Sequence, residues 1–451
     1  MMWTEVTANN FCASVRDGTH DSPKPVEKGR YLITSRHIIG GKIDLSNAYL
    51  ISNDDFDAIN KRSKVDRWDV LISMIGTVGE PCLVKDEPEF AIKNIGLFKT
   101  KNELDGRWLY YYLTSPRAQT LIRQHSRGTT QAYVPLGALR EFPIRMPKDR
   151  EVMRAITNIL GGLDDKIDLN RRINQTLETM AQAIFKSWFV DFDPVKAKIA
   201  AIEQGEDPLR AAMCAISGKT DTELDQMPRE HHNQLAATAA LFSDAMEESE
   251  LWEIPKGWGI KSVSNIARFA TGKVEVPSLT VENYISTENM LENRGGISHA
   301  SSLPVVATVP TFESGNVLVS NIRPYFKKIW LARFDGGRSN DVLCFEAKED
   351  GCQEFLYNLL YQDIFFEFMM RTSKGAKMPR GDKEAIAGWK FPCAPLELRK
   401  AFSKKVRTFY SYIESINLES KQLSELRDTL LPKLLSGDLS VADSEMKRVG
   451  R

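Results

Sequence analysis

Two carboxylates and a lysine lie close together in the segment DVLCFEAK, which places Asp341, Glu346 and Lys348 on a predicted strand. Metal-dependent nucleases use groups of this kind to hold a divalent cation and to activate a water molecule. The segment therefore raises the hypothesis of a metal-dependent nuclease.

A second kind of chemistry is indicated by two glycine loops, SRGTTQAYVP (residues 126–135) and TSKGAKMPRG (residues 372–381), and by a basic segment after a strand near residue 320. Basic and hydroxyl side chains with glycine N–H groups bind phosphate oxygens, whereas Arg, Lys, Gln and Asn side chains read base edges. For any single one of these residues, the alternative to a DNA contact is an ordinary role as a surface residue. The candidate DNA-binding residues are Arg127, Thr129, Thr130, Gln131, Tyr133, Asn321, Arg323, Tyr325, Lys327, Lys328, Lys374, Lys377 and Arg380.

The elements that must position these residues occur twice. The segment DVLIS from Asp69 matches NVLVS from Asn316 at an offset of 247 residues, and SRG at 126–128 matches SKG at 373–375 at the same offset. The segment YLIT from Tyr31 matches YIST from Tyr284 at 253, so the loops have drifted. A period of this length indicates a duplicated domain and not a solenoid.

The duplication also tests the nuclease hypothesis. At the offset of 247 the equivalents of Asp341, Glu346 and Lys348 are an asparagine and two lysines, so the first copy keeps the strand without its carboxylates. Motifs for a methyltransferase, a nucleotide triphosphatase or a serine hydrolase are absent from the sequence, and the histidines show no metal-ligand spacing. We therefore expect no catalytic residues and no metal on this chain.

Composition indicates a soluble multidomain protein, with 451 residues of which 42% are hydrophobic. A signal peptide and a membrane helix are both missing from the sequence, which predicts a cytoplasmic location. The six scattered cysteines predict reduced thiols instead of disulfides. Net charge is zero, yet residues 191–250 are strongly acidic and the remainder is basic. This acidic connector is either a docking surface for another subunit or a solvated linker.

Each half opens with short strands, continues with a helical stretch (residues 106–124 and 354–371) and ends in a long helix with an apolar heptad seam. A long helix with so narrow an apolar stripe needs a partner, and the other copy is the economical one. The seam and partner-binding residues are Leu163, Ile167, Asn170, Asn174, Leu177, Ile184, Trp188, Phe409, Ile413, Ile416, Leu423, Leu430 and Leu434.

Two features of the seam leave alternatives open. Asn170 and Asn174 either fix the register of the helix pair or lie at a solvated end. Gly161 and Gly162 weaken a helix interior, so we interpret them as a hinge or as the start of the helix.

Three segments carry a resemblance to a known family. LDDKIDLNRRINQTLETMAQAIFKSWFVDFDPVKAK (residues 163–198) is similar to the central spacer of the specificity subunit of type I restriction-modification enzymes. ESINLESKQLSELRDTLLPKLLSGDL (residues 414–439) resembles its distal spacer, and IPKGW (residues 254–258) resembles the entry to its second target-recognition domain. Gly161 and Gly162 depart from the family pattern.

The resemblance implies an α+β protein with two homologous target-recognition domains, built of small β-sheets with helices and joined by a long antiparallel two-helix coiled-coil spacer. The expected domains are 1–150 and 251–395 for target recognition, 151–190 and 396–437 for the spacer helices, 191–250 for the connector and 438–451 for a tail.

The resemblance further implies a non-catalytic subunit that reads a split, asymmetric site in double-stranded DNA. Two modification subunits with S-adenosylmethionine would methylate adenine, and restriction subunits with ATP and Mg would join in the complete enzyme. A DNA-binding adaptor of another phage-defence complex and a pure oligomerisation scaffold stay open as alternatives.

Overall fold

The computed structural model describes residues 3–128, 132–249, 253–375 and 377–440. The chain divides into two compact units. Unit 1 holds the residues up to Asn170 together with those from Leu418 onward, and unit 2 runs from Arg171 to Asn417.

Unit 1 contains the first copy of the repeat (copy 1, residues 3–147) and the start of a long helix. Its strands are β1 (Trp3–Thr7), β2 (Ser14–Asp17), β3 (Arg30–Ile33), β4 (Ile38–Ile39), β5 (Lys42–Ile43), β6 (Tyr49–Ile51), β7 (Val70–Ser73), β8 (Pro81–Leu83), β9 (Phe90–Ile92), β10 (Ile95–Lys99) and β11 (Pro143–Pro147). Its helices are α1 (Ala8–Phe11), α2 (Asn53–Ser63), α3 (Glu103–Thr114), α4 (Pro116–His125), α5 (Leu136–Arg140) and the first part of α6 (Arg150–Phe189), with a 3₁₀ turn at Ser35–His37.

Unit 2 contains the connector and the second copy (copy 2, residues 259–393). Its strands are β12 (Met246–Glu248), β13 (Glu253–Pro255), β14 (Gly259–Ser262), β15 (Ala267–Phe269), β16 (Lys273–Glu275), β17 (Tyr284–Ile285), β18 (Thr308–Phe312), β19 (Val317–Ser320), β20 (Ile329–Leu331), β21 (Gly336–Arg338), β22 (Val342–Ala347) and β23 (Lys390–Cys393). Its helices are α7 (Asp193–Gln204), α8 (Pro208–Ser217), α9 (Asp221–Asp225), α10 (Arg229–Ala240), α11 (Val263–Ile266), α12 (Gln353–Leu360), α13 (Asp363–Arg371), α14 (Lys383–Ala387) and α15 (Leu396–Ser436), with 3₁₀ turns at Val276–Ser278 and Pro324–Phe326.

The central sheet confirms the duplication. Copy 1 orders its antiparallel strands β2-β10-β7-β8, and copy 2 orders its own β15-β22-β19-β20. The register is conserved between the copies at the offset of 247, since Ile95 lies opposite Ser73 and Val342 lies opposite Ser320. Each copy also contains one pair of parallel strands, which is β3 with β9 in copy 1 and β17 with β21 in copy 2.

The central strands are buried on both faces, which explains their continuous apolar runs. In copy 1, Val70 and Ile72 pack with Trp108 of α3 in one hydrophobic cluster, whereas Leu71 belongs to a second cluster on the opposite face. In copy 2, Val317 and Val319 likewise join Phe355 of α12, and Leu318 packs on the other side. Each copy is therefore a sheet that separates two small cores.

The long helices α6 and α15 pair in antiparallel fashion within each unit. In unit 1, Asp164 contacts Arg427 while the later residue Asn170 contacts the earlier residue Glu419. In unit 2, the rings of Phe185 and Phe402 lie 5.6 Å apart. The α+β class with a two-helix spacer is confirmed. The domain boundaries drawn from the sequence stay predictions, because the division by compactness cuts through both long helices.

Seven of the predicted seam residues join the hydrophobic clusters of their units, whereas Leu163, Ile167 and Leu423 are half-buried outside these clusters. Leu430 and Leu434 join the cluster of unit 1, and Leu177, Ile184, Trp188, Phe409 and Ile413 join that of unit 2. Asn170 is fully buried, and its amide donates to Glu419 Oε2 at 2.8 Å and to Ser420 Oγ at 3.1 Å. Asn174 donates to Asn417 Oδ1 at 2.7 Å. These contacts favour the register-fixing interpretation over a solvated end.

Three predicted elements are wrong in extent. The helical stretch at 106–124 is two helices, because Pro116 lacks an N–H and holds Ser115 in an extended conformation. The stretch at 354–371 also breaks, between α12 and α13. The apolar run at 91–98, whose composition predicts a single strand, forms two strands that are separated where Asn94 takes a positive φ of 53°.

The glycine pair is neither a hinge nor a helix start, because α6 runs through it unbroken from Arg150. A Cβ on Gly161 would approach Arg107 Nη1 to 2.5 Å, so the missing side chain makes room for Arg107. That arginine pairs with Glu103 at 2.8 Å and with Asp165 at 3.2 Å. Gly162 has no atom within 4 Å of an added Cβ.

The connector is not a solvated linker. Its helices α7 to α10 bury Val195, Met213, Leu224 and Ala239 in the same cluster as Trp188 of the spacer. Helix α8 begins at Pro208, and Gly218 caps its C-terminal end. The segment is a small helical bundle with acidic residues on its exposed positions.

All six cysteines are free thiols, and burial raises the pKa of Cys82 to about 12 and that of Cys344 to about 11. Within the described ranges, no helix combines the length and the apolar character needed to cross a membrane.

The two adjacent glycines offer a matched pair of variants. Gly162→Ala should stabilise unit 1 by about 1 kcal/mol, because alanine costs less than glycine in a helix and meets no neighbour here. Gly161→Ala should gain clearly less, since Arg107 must leave its ion pairs. Urea or thermal unfolding measures both, and equal gains would refute the assignment of Gly161 to Arg107.

Candidate nucleic-acid interface

Two loops in each copy lie side by side at the end of the central strands. We call residues 75–80 and 322–328 the turn loops. They lie beside the central parts of the glycine loops, residues 127–133 and 374–380, and from here on the name glycine loop refers to these central parts. The turn loops join β7 to β8 and β19 to β20, and the glycine loops follow α4 and α13. Thr129, Thr130 and Gln131 lie outside the described residues.

Backbone hydrogen bonds close each glycine loop on itself. Arg127 and Tyr133 exchange two N–H to O bonds of 2.8 Å, and Lys374 and Arg380 exchange two of 2.9 Å. Gly128 and Gly375 turn the chain with φ near 92° and 93°, which is a conformation that favours glycine. The two loops are therefore built in the same way at the offset of 247.

The glycine loop is also bonded to the turn loop at equivalent positions. In copy 1, Gly76 donates its N–H to Ala132 O at 3.3 Å. In copy 2, Arg323 donates to Pro379 O at 2.8 Å. The two loops of each copy form one continuous edge, in which these backbone hydrogen bonds occur at equivalent positions while the side chains differ.

Among the candidate DNA-binding residues, four project from this edge without a side-chain hydrogen-bond or ion-pair partner in the described parts of the chain. They are Arg127, Arg323, Tyr325 and Lys377. Tyr133 is also exposed, at 42%. These five side chains are available to a ligand.

The other four cations of copy 2 are engaged within the fold. Lys327 Nζ binds Asp363 at 2.7 Å, and Lys328 Nζ binds Thr287 O at 2.8 Å. Lys374 pairs with Asp382 at 2.5 Å, and Arg380 pairs with Asp341 at 3.3 Å. Asn321 is buried at 7% exposure. The predicted DNA-binding residues therefore form two groups. The side chains of one group are available to a ligand, and those of the other are bound within the protein.

The ion pairs shift the carboxylates towards their charged forms. Hydrogen bonds from Arg294 and Lys327 lower the pKa of Asp363, and Lys374 lowers the pKa of Asp382. Both acids therefore stay ionised at neutral pH and neutralise part of the basic surface of copy 2.

The structure does not bring Asp341, Glu346 and Lys348 together into a nuclease site. Glu346 forms a bidentate pair with Arg268, which lowers the pKa of Glu346, and Lys348 donates to Ser264 O. Asp341 is held by Arg380 at the opposite end of β22. Within the described residues, no three His, Cys, Asp or Glu side chains are grouped so as to hold a metal ion.

Sequence reasoning missed several residues that position the edge. Ser35 Oγ accepts from Met74 N at 3.2 Å and donates to Asn94 O at 3.0 Å, so the 3₁₀ turn with exposed Arg36 is fixed beside the turn loop. Arg294 binds Asp363 and stacks on Tyr361 at 4.6 Å. No periodicity or motif signals such contacts.

A carboxylate face on α6 was missed too. Asp164 accepts from Tyr111 and Arg427 at 2.8 Å each, and Asp165 and Asp168 accept from Lys85 at 3.0 and 2.9 Å. The segment LDDKID, in which these three acids lie, fastens copy 1 to the long helix. Its only signal was the family resemblance.

Comparison with known proteins decides the family. The family model described as type I restriction modification DNA specificity domain matches residues 22–179. The HindI specificity subunit of Haemophilus influenzae is 30% identical over 345 residues, which cover 70% of this chain and 72% of that protein. The chain belongs to the type I restriction enzyme specificity subunits.

More distant relatives agree with this assignment. The MjaIX specificity subunit of Methanocaldococcus jannaschii is 21% identical over 76% of this chain and 71% of its own length. The crystal structure of the S subunit from M. genitalium matches with a TM-score of 0.52 at 14% identity, over 96% of both chains, which shows the common fold. This specificity subunit therefore recognises DNA sequence.

Removal of exposed loop cations should weaken the salt dependence of DNA binding. We predict that Arg127→Ala and Lys377→Ala each reduce the slope of log affinity against log salt by about 1, because each removes one phosphate contact. Lys219→Ala, which removes an exposed cation from the connector, is the matched control and should leave the slope unchanged. Titration of duplex DNA at several salt concentrations measures the slopes. Unchanged slopes for both loop variants would remove these residues from the interface.

Proposed function

We propose that this specificity subunit reads a split, asymmetric site in double-stranded DNA, with one half-site assigned to each copy. The observation that carries the proposal is the duplicated edge, in which identical backbone hydrogen bonds present different side chains. Copy 1 exposes Arg127 and Tyr133 on this edge, whereas copy 2 exposes Arg323, Tyr325 and Lys377. A common frame with different side chains is what two readers of different sequences require.

We infer that the subunit has no catalytic activity of its own. The groups that resembled a nuclease, Glu346, Lys348 and Asp341, are bound to Arg268, to Ser264 O and to Arg380, so none is free to activate water. Methylation of adenine would come from two modification subunits that bind S-adenosylmethionine. Cleavage would come from restriction subunits that use ATP and Mg. The complex would act on DNA in the cytoplasm.

The spacer helices carry apolar side chains that suit contact with partner subunits. In unit 2, Met180 and Tyr412 are 44% and 53% exposed, and in unit 1, Leu169 and Leu418 are 50% and 58% exposed. We assign these faces to the modification subunits.

The spacer should set the distance between the half-sites. Insertion of four residues after Leu177, with four more after Ile413 on the antiparallel helix, adds about 6 Å to the pair. At 3.4 Å per base pair, the nonspecific gap should grow by about two base pairs. Mapping of methylated adenines in cells that carry the variant and its modification subunits measures the gap.

The same mapping contains its own control, because both half-site sequences should stay as in the wild type. A variant that methylates sites with altered half-site letters, or with the original gap, contradicts the role of the spacer.

Exchange of one glycine loop should change one half-site. Replacement of residues 129–133 by the loop of another specificity subunit should alter the half-site read by copy 1 alone, because the two copies have separate edges. The matched exchange of residues 376–380 should alter only the other half-site. If either exchange changes both half-sites, the assignment of one copy to one half-site is wrong.

A further inference from the structure

The turn loops of the two copies differ in length by one residue, yet both turn the chain through positive φ angles near their two ends. In copy 1, Gly76 and Gly79 adopt positive φ angles of 81° and 92°. In copy 2, the corresponding positions at each end of the turn hold Arg323 and Lys327, both with a φ of 50°. The second copy therefore keeps a conformation that favours glycine while it carries two long basic side chains.

This substitution has a cost. A residue with a Cβ in the left-handed region is disfavoured relative to glycine, and it persists only where its surroundings hold it. For Lys327 a structural reason is visible, because its ammonium group binds Asp363, which also binds Arg294. For Arg323 the side chain is exposed and makes no hydrogen bond or ion pair in the described part of the chain. Its presence is not explained by the fold.

The backbone around Arg323 is held from several sides. Arg323 N–H donates to Pro379 O at 2.8 Å, and Phe326 N–H donates back to Arg323 O at 3.0 Å. At the other end of the turn, Arg294 N–H donates to Lys327 O at 3.0 Å. These bonds fix the backbone from which the Arg323 side chain projects, two residues before the exposed Tyr325.

We propose that Arg323 is a specificity-determining residue of copy 2 and reads a guanine in the half-site assigned to that copy. This inference rests on the proposed function. A phosphate can be bound by any flexible surface cation, whereas a base edge requires a side chain that leaves the backbone at a fixed point. The planar fork of arginine fits the O6 and N7 acceptors of guanine with two hydrogen bonds.

The decisive variant is Arg323→Gly, which gives copy 2 the residue that copy 1 already has at this position. Because glycine accepts the positive φ, the variant should unfold at a temperature about 2 °C higher than the wild type. The complex with its modification subunits should lose about 5-fold to 150-fold discrimination for guanine at one position of one half-site. A stabilising change that removes specificity cannot be attributed to damage of the fold.

Two further variants control for backbone and charge. Arg323→Asn tolerates the left-handed backbone without the guanidinium, so it should also lose the guanine preference, even if the glycine variant unfolds. Gly76→Arg places the same side chain in the turn loop of copy 1, where an added Cβ meets no atom within 4 Å. It should lower the unfolding temperature and leave the half-site of copy 2 unchanged.

Selection of bound duplexes from a randomised library, with methylation mapping in cells, gives the readout. A wild-type complex that shows no split site would refute the proposed function itself. A wild-type split site that is unchanged in Arg323→Gly and Arg323→Asn would overturn the role of Arg323 alone. Equal weakening of binding to every sequence would also overturn it, because that result identifies a phosphate contact.

Discussion

The antiparallel pairing of α6 with α15 is the constraint on which the rest of the structure depends. Each helix has only a narrow apolar stripe and would not be stable alone in water. In unit 1 the buried amide of Asn170 has acceptors only if Glu419 and Ser420 lie opposite it. In unit 2, Asn174 meets Asn417 under the same condition. A shift in register would leave the buried amide of Asn170 without these acceptors, so the seam favours one alignment.

The spacer has consequences for recognition because each copy is fastened to it by many contacts. The α6 acids Asp164, Asp165 and Asp168 accept hydrogen bonds from Tyr111 and Lys85 of copy 1. Phe355 of copy 2 packs in one core with Phe185 of α6 and Phe402 of α15. Within each unit, the loops that project from a copy are thereby attached to the long helices through packed contacts, as precise placement of a base-reading side chain requires.

Much of the fold could be predicted from the sequence, because it depends on local apolar pattern and on the repeat. The offset of 247 residues predicted the shared sheet, and heptad spacing predicted the seam. The errors came from long-range contacts. Gly161 looked like a weak point of α6 because the sequence does not reveal that Arg107 passes beside it. The connector looked like a linker because its acidic charge suggested a solvated surface, whereas its apolar residues meet only in the folded core. The glycine loops were recognised from composition, yet only the structure distinguishes free Lys377 from engaged Lys374.

The most direct test of the central claim is a structure of the subunit with its modification subunits on a duplex that contains the methylated site. The turn and glycine loops of both copies should lie against base edges in the major groove, each copy on its own half-site. A complex in which the duplex contacts other faces, and leaves both pairs of loops exposed to solvent, would contradict it.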